Sequence, residues 1–314
     1  MTTTPVPAAG ADAWPTLSYA AEKDTYETLH LWAQIVGKIR LARAPMVNHW
    51  WQVPLYVTAR GLGTSAIPAN GGAFEMEFDV IDHALHIRSS GGEVRDVALR
   101  PRTVADFHRA VMRALDELGL STRIWTMPVE IPGAIRFERD DVHASYDPDA
   151  AHRLWRALVR SEHVLQRFRG RFIGKASPVH FFWGSFDLAA TRFSGRRAPP
   201  HPGGNPTVAD WVMREAYSHE ESSAGFWPGG AGMEEAAYYA YAYPEPEGFR
   251  VARVAPSAAN YVDALGEFVL PYEAVRSAPD PDAMLMEFLE STYAAAADLA
   301  HWDRASLERA PAAH

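Results

Sequence analysis

Apolar residues recur along the chain at two spacings, and each spacing predicts one kind of element. Between residues 24 and 43 they lie three to four positions apart, which predicts a helix that ends before Pro45. Three further helices are predicted to begin where a side-chain oxygen can cap the first turn, at Thr103, Asp147 and Asp280. A shorter helix is predicted after Thr207 by the same capping pattern.

Alternation of apolar and polar residues predicts a half-buried strand over residues 74–80, where Phe74, Met76 and Phe78 alternate with acidic residues. Asp82 and His83 predict a tight turn, so that this strand and the next form a hairpin. Further strands are predicted over residues 49–60, 85–88, 94–99, 124–131, 179–193, 238–243, 249–254 and 266–272.

Two segments of the chain are alike. HWWQVPLYVTARGL begins at His49, and HFFWGSFDLAATRF begins at His180. The likeness and the order of the elements predict an α+β fold of antiparallel sheets packed with helices, in which an α-β-β-β-α unit is duplicated about a pseudo-twofold axis. The predicted organisation is a flexible tail over residues 1–13 and a single domain over 14–309, with halves 24–131 and 148–300 and an insertion at 196–234. Two strands of similar composition could also match by chance.

Composition narrows the chemistry. The chain has 314 residues and no cysteine, which excludes disulfides, thiolate metal sites and cysteine nucleophiles. The net charge of −9 argues against a dedicated nucleic-acid binder. Residues 151–200 nevertheless carry 10 Lys and Arg against 2 Asp and Glu, so this stretch could attract an anion. No apolar stretch is long enough to span a membrane and no signal peptide is recognisable, so a cytoplasmic protein is expected.

One face of the strand predicted over 179–193 combines polar and aromatic side chains. Trp183, Ser185 and Asp187 share that face, and Tyr56 lies on the corresponding face of the similar segment. Polar groups set among aromatic rings are typical of a ligand cavity, although a solvent-facing sheet also carries polar residues. We therefore expect Tyr56 and Trp183 to contact a small-molecule ligand.

An arginine cluster follows Asp187. Arg192, Arg196 and Arg197 lie near the turn at the predicted strand end, where guanidinium groups could bind a carboxylate or a phosphate in a bidentate manner. The simpler alternative is a structural ion pair between Asp187 and one arginine.

Glu215 and His219 are four residues apart and would share one face of a helix. That spacing allows a carboxylate to orient a general base, or allows both groups to bind a divalent metal with His180 or His201 as the third ligand. His219 could instead interact with a helix C-terminus, and His180 could be structural. Tyr217 and Trp227 are also expected to contact the ligand. Trp227 lies beside a Gly-rich stretch, residues 229–232, that would cover the pocket and that lacks the spacing of a nucleotide-binding loop.

Several longer motifs resemble one bacterial family. HWWQVPLYVTARGL, FDVIDHAL, HASYDPDAAHR, SPVHFFWGSFDLAATRFSGRRAPPHPGG, REAYSHEESSAGFWPGG and YAYPEPEGF together resemble domain-of-unknown-function family 5996, over about residues 14–309. The resemblance implies a single family domain over nearly the whole chain. It implies no activity, cofactor or site residue.

The residues favour an intracellular enzyme that acts on a small anionic metabolite. Arg192 and Arg196 would bind the anion, Asp187 or Glu215 would act as base or orienting group, and His219 would act as acid, base or metal ligand. A non-catalytic binding protein with the same aromatic-lined pocket is the main alternative. A protein that binds partners through exposed aromatic residues is a third, and it predicts an open apolar patch.

Overall fold

A computed structural model describes residues 13–230 and 233–309. Within these residues the chain forms an α+β fold of two six-stranded antiparallel sheets and seven α-helices, as predicted. Except for residue 13, the predicted N-terminal tail lies outside the described residues.

The first sheet lies between two helices in the chain. Its strands follow the order β1-β2-β4-β5-β6, with β3 paired to β4. The elements are α1 (Tyr19–Arg43), β1 (Tyr56–Val57), β2 (Gly61–Gly63), β3 (Ile67–Ala69), β4 (Gly72–Asp79), β5 (Ala84–Ser89), β6 (Val94–Ala98) and α2 (Val104–Glu117).

The second sheet follows the long helix α3 and has the order β7-β8-β9-β10-β12-β11. Its elements are α3 (Pro148–Gly170), β7 (His180–Phe182), β8 (Asp187–Arg197), α4 (Asp210–Ala216), β9 (His219–Trp227), β10 (Ala237–Tyr243), β11 (Asn260–Val262), β12 (Glu267–Pro271), α5 (Tyr272–Arg276), α6 (Pro281–Leu299) and α7 (Arg304–Leu307).

The buried positions follow the predicted periodicity. On β4, Phe74, Met76 and Phe78 are buried and Glu75 is exposed. On α1, Trp32 is fully buried and stacks on Phe107 of α2 with ring centroids 4.4 Å apart. Apolar burial of this kind is the main favourable term in folding, so it explains why these helices and this sheet form one core.

Within the described ranges, one antiparallel bridge joins the two sheets. The backbone N–H of Leu55 donates to the carbonyl of Phe181 at 2.9 Å, and the N–H of Phe181 donates back to Leu55 at 2.8 Å. The bridge places the residues before β1 beside β7. Side chains from the first half can therefore reach the second sheet.

Four strand predictions differ from the structure. The segment 49–60 is a strand only at Tyr56–Val57, because His49 and Trp50 have positive φ angles of 57° and 63°. The segment 179–193 is two strands separated by a turn at residues 183–186. Residues 124–131 are irregular, and Phe249–Val251 is a 3-10 turn.

The segment predicted as an insertion, 196–234, contains β9, which lies between β8 and β10 in the sheet. The internal duplication stays a prediction. Among the described residues, no helix has the length and apolar character needed to cross a lipid bilayer.

Candidate functional site

The second sheet has two chemically different faces. Leu188, Phe226 and Tyr238 are buried on the face against which α3 and α6 pack. The register of the strands places a set of mostly polar side chains on the opposite face, which we call the polar face: Asp187, Thr191, Glu221, Ser223, Tyr239, Tyr241 and Glu267. Polar side chains in such numbers on a largely buried sheet face need partners, so this face is the first place to look for a site.

Loops from both halves of the chain cover the polar face. His49 packs on Phe193 of β8 with ring centroids 4.6 Å apart, and Lys175 Nζ lies 4.8 Å from the same ring. From the other side, the hydroxyl of Tyr217 donates to Tyr241 at 3.3 Å. The polar face is therefore enclosed by residues that are distant in sequence.

Asp187 is the central carboxylate of the polar face. It is buried, and its two oxygens accept hydrogen bonds from the hydroxyls of Ser185 and Tyr239. Tyr239 reaches it from β10, across β9, because the residue between them is Gly225, where a Cβ would lie 2.5 Å from the Tyr239 hydroxyl oxygen. Burial raises the pKa of Asp187 and outweighs the two hydrogen bonds, which lower it.

Two further carboxyl groups lie close enough to Asp187 for their charges to interact. Burial, followed by the charge of Asp187, raises the pKa of Glu130 to about 7 and that of Glu267 to about 7. Glu130 comes from the irregular segment before α3, in which it has a φ of 60°. Near neutral pH this group of carboxyls therefore holds exchangeable protons.

Lys175 and His49 form a hydrogen-bonded pair at the edge of the polar face. Lys175 Nζ donates to His49 Nε2 at 2.6 Å. The other ring nitrogen, Nδ1, lies 2.8 Å from the carbonyl oxygen of Ala216. Because a carbonyl can only accept, Nδ1 carries the proton and Nε2 is the acceptor, so the imidazole is neutral in this arrangement.

The surroundings of this pair disfavour the protonated, charged forms of both Lys175 and His49. Lys175 Nζ lies between the rings of Trp51 and Phe193, at 5.3 and 4.8 Å from their centroids. Burial lowers the pKa of Lys175, and burial lowers the pKa of His49 as well. A lysine of this kind can act as a nucleophile or as an acid–base group.

Glu221 is a buried carboxyl group whose charge interacts with that of Lys175. It is 6% exposed and has no hydrogen-bond or ion-pair partner in the part of the chain that the structure describes. Burial raises its pKa well above the usual value, against a smaller opposite effect of Lys175. Burial therefore favours the neutral, protonated form of Glu221, which can donate a proton.

Two of the predicted site residues, Glu215 and His219, lie together at His49, whereas Asp187 is at the other end of β8, ten residues from the Arg197 that pairs with His219. Asp187 is on the polar face, and Tyr217 contacts it through Tyr241. His219 lies beside His49 with ring centroids 5.4 Å apart, and Glu215 accepts a hydrogen bond from the backbone N–H of His49 at 3.1 Å. The predicted shared helix face is absent, because Glu215 is in α4 and His219 begins β9.

The two predicted anion-binding arginines lie elsewhere. Arg192 points to the helix-covered face, where it is 2% exposed, donates to the carbonyl of Phe168 and stacks against Tyr293. Arg196 forms an ion pair with Glu220 at 2.7 Å and donates to the carbonyl of Ala300 at 2.6 Å. Both arginines hold the sheet to its helices, so neither meets Asp187.

The remaining predicted residues are dispersed. Trp183 is buried between the two halves and donates to the carbonyl of Val53 at 2.9 Å. Tyr56 packs edge-on against His180, with ring centroids 5.6 Å apart. Trp227 is at the far end of β9, paired with Ala237.

The predicted metal ligands do not converge. His180 pairs with Ala189 and His219 pairs with Arg197, eight residues further along β8, so His180 is separated from His219. Among the residues described, the metal-binding geometry is met by a different set, Asp79, Asp82 and His86. Arg60 already forms ion pairs with both of those carboxylates, which makes this set a structural cluster.

A small cavity of about 190 Å³ opens where β10 ends. Its walls come from Glu220 and Glu221 of β9, from the Tyr243–Pro244 end of β10, and from Ala296, Ala300 and Trp302. The cavity borders the polar face at Glu221 and Tyr243. It shows that this end of the sheet is loosely filled.

Lys175, His49 and Glu221 were not among the predicted functional groups. One sequence signal could have pointed to Lys175, because only 3 of the 30 basic residues are lysines. Of the other two, Lys23 pairs with Glu27 on the surface and Lys38 donates to the carbonyl of Met127 at 2.8 Å. Lysine can lose its charge near neutral pH when it is buried, whereas arginine stays charged.

Comparison with known proteins places the chain in a wider group without adding an activity. The model of one protein family, described as a family of unknown function, matches residues 14–309. No curated protein and no solved structure shows a significant match.

Proposed function

We propose that this chain, which belongs to the family of unknown function DUF5996, is an enzyme that acts on a small metabolite at the polar face of its second sheet. The metabolite carries an anionic or carbonyl oxygen that Lys175 binds. The reaction includes a proton transfer between the metabolite and the buried acid–base groups around Lys175. In this proposal the rings of Trp51 and Phe193 beside Lys175 line the pocket, in place of the rings that the sequence predicted.

The observation that carries this proposal is the 2.6 Å contact between Lys175 Nζ and His49 Nε2. A structural lysine normally pairs with a carboxylate, whereas no carboxylate oxygen of the described residues lies within ion-pair distance of Lys175 Nζ. Among the described residues its hydrogen-bond partner is a neutral imidazole, so no charged group contacts the amine directly. An oxygen of a bound metabolite would supply the missing partner.

Glu221 and His49 supply the two directions of proton transfer. Glu221 is a buried carboxylic acid without a partner, which suits it to donate a proton. His49 presents an unprotonated Nε2, held in that tautomer by the carbonyl of Ala216, which suits it to accept one. An acid and a base near one amine are the groups that proton transfer at a carbonyl or carboxyl carbon uses.

We assign no role to a metal, because His180 and His219 pair with residues of β8 that are eight positions apart. We propose that the protein is located in the bacterial cytoplasm, in keeping with the small-molecule chemistry of the site. Fractionation of cells that express the native protein tests this setting.

The test is a comparison of small-molecule turnover between variants. Purified protein is incubated with a bacterial metabolite extract, and mass spectrometry identifies compounds whose amounts change. We expect one compound to fall and a product to rise with the wild type and with Lys23→Met, a surface control on α1. Lys175→Met should lose the conversion by about a hundredfold or more, the usual effect of removing an acid–base group. Circular dichroism confirms that both variants are folded.

A non-catalytic binding protein gives a different result in the same experiment. A compound would then be retained by the wild type on gel filtration without conversion, and Lys175→Met would release it. If no compound is either converted or retained, the polar face is not a small-molecule site and the proposal is wrong.

A further inference from the structure

The three lysines of this arginine-rich chain have different environments. Lys23 is exposed and ion-paired, and Lys38 is buried with a backbone carbonyl as its partner. Lys175 is half-buried and contacts a neutral imidazole. Lys175 alone combines access from solvent with a partner that can accept a proton.

We propose that Lys175 is a covalent nucleophile that forms a Schiff base with a small aldehyde or ketone, so that the substrate class is a carbonyl compound. This inference rests on the proposed function and specifies it, since an amine that only binds an anion needs neither a proton acceptor nor a proton donor beside it. The contact between Nζ and His49 Nε2 is the geometric basis.

The apolar surroundings favour the uncharged amine. Nζ lies beside the rings of Trp51 and Phe193, and these faces exclude water from one side of the amine. The same burial lowers the pKa of Lys175. Each unit by which a lysine pKa falls raises the fraction of reactive free amine about tenfold at neutral pH.

The step balances with groups already in place. The Nζ lone pair attacks the carbonyl carbon, a C–N bond forms and the C=O π bond breaks. Glu221 gives its proton to the carbonyl oxygen, while His49 Nε2 takes one proton from nitrogen. The carbinolamine then loses its hydroxyl as water, with the second proton from His49. The products are a protonated imine, one water molecule and the Glu221 carboxylate, with no oxidant or cofactor required.

Borohydride trapping tests this step directly. The native protein is incubated at neutral pH with pyruvate or with glyceraldehyde and then with sodium borohydride, which reduces an imine to a stable secondary amine. Peptide mass spectrometry measures the labelled fraction of each lysine. We expect Lys175 to label at least about tenfold faster than Lys23 in the same molecule, and this excess should disappear in urea. Glu221→Gln should reduce Lys175 labelling by about tenfold or more without changing that of Lys23.

Equal labelling of Lys175 and Lys23 by both probes overturns the inference. It does so without overturning the proposed function if the extract experiment shows a conversion that Lys175→Met abolishes, because Lys175 then acts only as a binding or acid–base group. If both experiments fail, Lys175 is not part of a functional site.

Discussion

The hydroxyl of Tyr239 donates to the carboxylate of Asp187 across the backbone of an intervening strand. The two residues belong to β10 and β8, so the bond passes over β9 at Gly225. A buried carboxyl group far from any cation depends on such donors. This bond therefore links β10 directly to β8, across β9, on the polar face.

Tyr239→Phe should lower the free energy of unfolding by about 1–3 kcal/mol, because Asp187 would keep only the Ser185 hydroxyl as a donor from a side chain. The loss is measured by urea denaturation at pH 7. Tyr243→Phe is the matched control, since its hydroxyl donates to the exposed carbonyl of Pro199, and it should cost less than about 1 kcal/mol. Equal losses in the two variants would show that the bond to Asp187 has no special weight.

Gly225→Ala should destabilise the fold by about 2–4 kcal/mol, because strand backbone has to move. The added Cβ would lie 2.1 Å from the carbonyl oxygen of Leu188 and 2.5 Å from the Tyr239 hydroxyl oxygen. Gly170→Ala at the end of α3 is the control, since nothing lies within 4 Å of its Cβ position. Thermal unfolding of both variants checks this. An unfolding temperature of Gly225→Ala equal to that of the wild type would mean that the strand backbone and Tyr239 both move aside at little cost.

Glu267→Gln should change the dependence of stability on pH. The folded pKa of Glu267 is about 7 against 4.5 for the ordinary group, so its contribution to stability is present below pH 4.5 and is lost as the pH rises towards 7. The amide cannot ionise. The variant should therefore gain on the order of 1–3 kcal/mol relative to the wild type between pH 4.5 and 8.

The matched control for this experiment is Glu273→Gln. Arg276 lowers the pKa of Glu273 on the surface of α5, so no relative gain is expected with rising pH. Differences between variant and wild type are compared because buried histidines change stability in the opposite direction over the same range. If the difference in free energy of unfolding between Glu267→Gln and the wild type does not change with pH, Glu267 is ionised in the folded protein.

His180→Phe should leave the protein as stable or raise its free energy of unfolding by about 1 kcal/mol at pH 7. His180 is 0% exposed, and neither ring nitrogen has a hydrogen-bond partner among the residues described. Burial lowers its pKa to about 3 from 6.5. Its contribution is therefore present above pH 6.5 and lost as the pH falls towards 3, and the variant should resist acid better.

Urea titrations at pH 7 and pH 5 measure both effects of His180→Phe. A loss of stability at pH 7 would mean that the imidazole has a partner that phenylalanine cannot replace. A ligand bound at His180 would be one such partner.

The helices could be predicted from the sequence because their signals are local. Thr103, Asp147 and Asp280 each accept hydrogen bonds from backbone N–H groups of the first helical turn, as their positions predict. The hairpin of β4 and β5 could be predicted for the same reason. Its alternation and its turn residues are adjacent in the chain.

The segments around the site could not be predicted because tertiary contacts determine them. Positive φ angles at His49 and Trp50 interrupt a run of residues that otherwise favours a strand. The Trp50 indole donates to the carbonyl of Val212, and the backbone N–H of His49 donates to Glu215, so residues more than 160 positions away hold this turn. Phe186, with a φ of 61°, likewise divides the predicted long strand.

The error at the strand changed the interpretation of the site. With a turn at residues 183–186, Trp183 enters the core while Asp187 remains on the polar face. Arg192, five residues after Asp187 on the same strand, falls on the opposite face by simple alternation. Lys175 lies in a loop without a motif, so only the folded chain shows it beside His49.

The bridge between Leu55 and Phe181 has a consequence for how the protein could be divided. His49 and Trp51 come from the first half of the chain, whereas Lys175 and Glu221 come from the second. A chain cut between residue 139 and α3 would give two fragments, each with its own sheet and with only part of the proposed site. Only reassembly of the fragments would restore the full set of groups, which makes the protein a natural candidate for split-protein complementation.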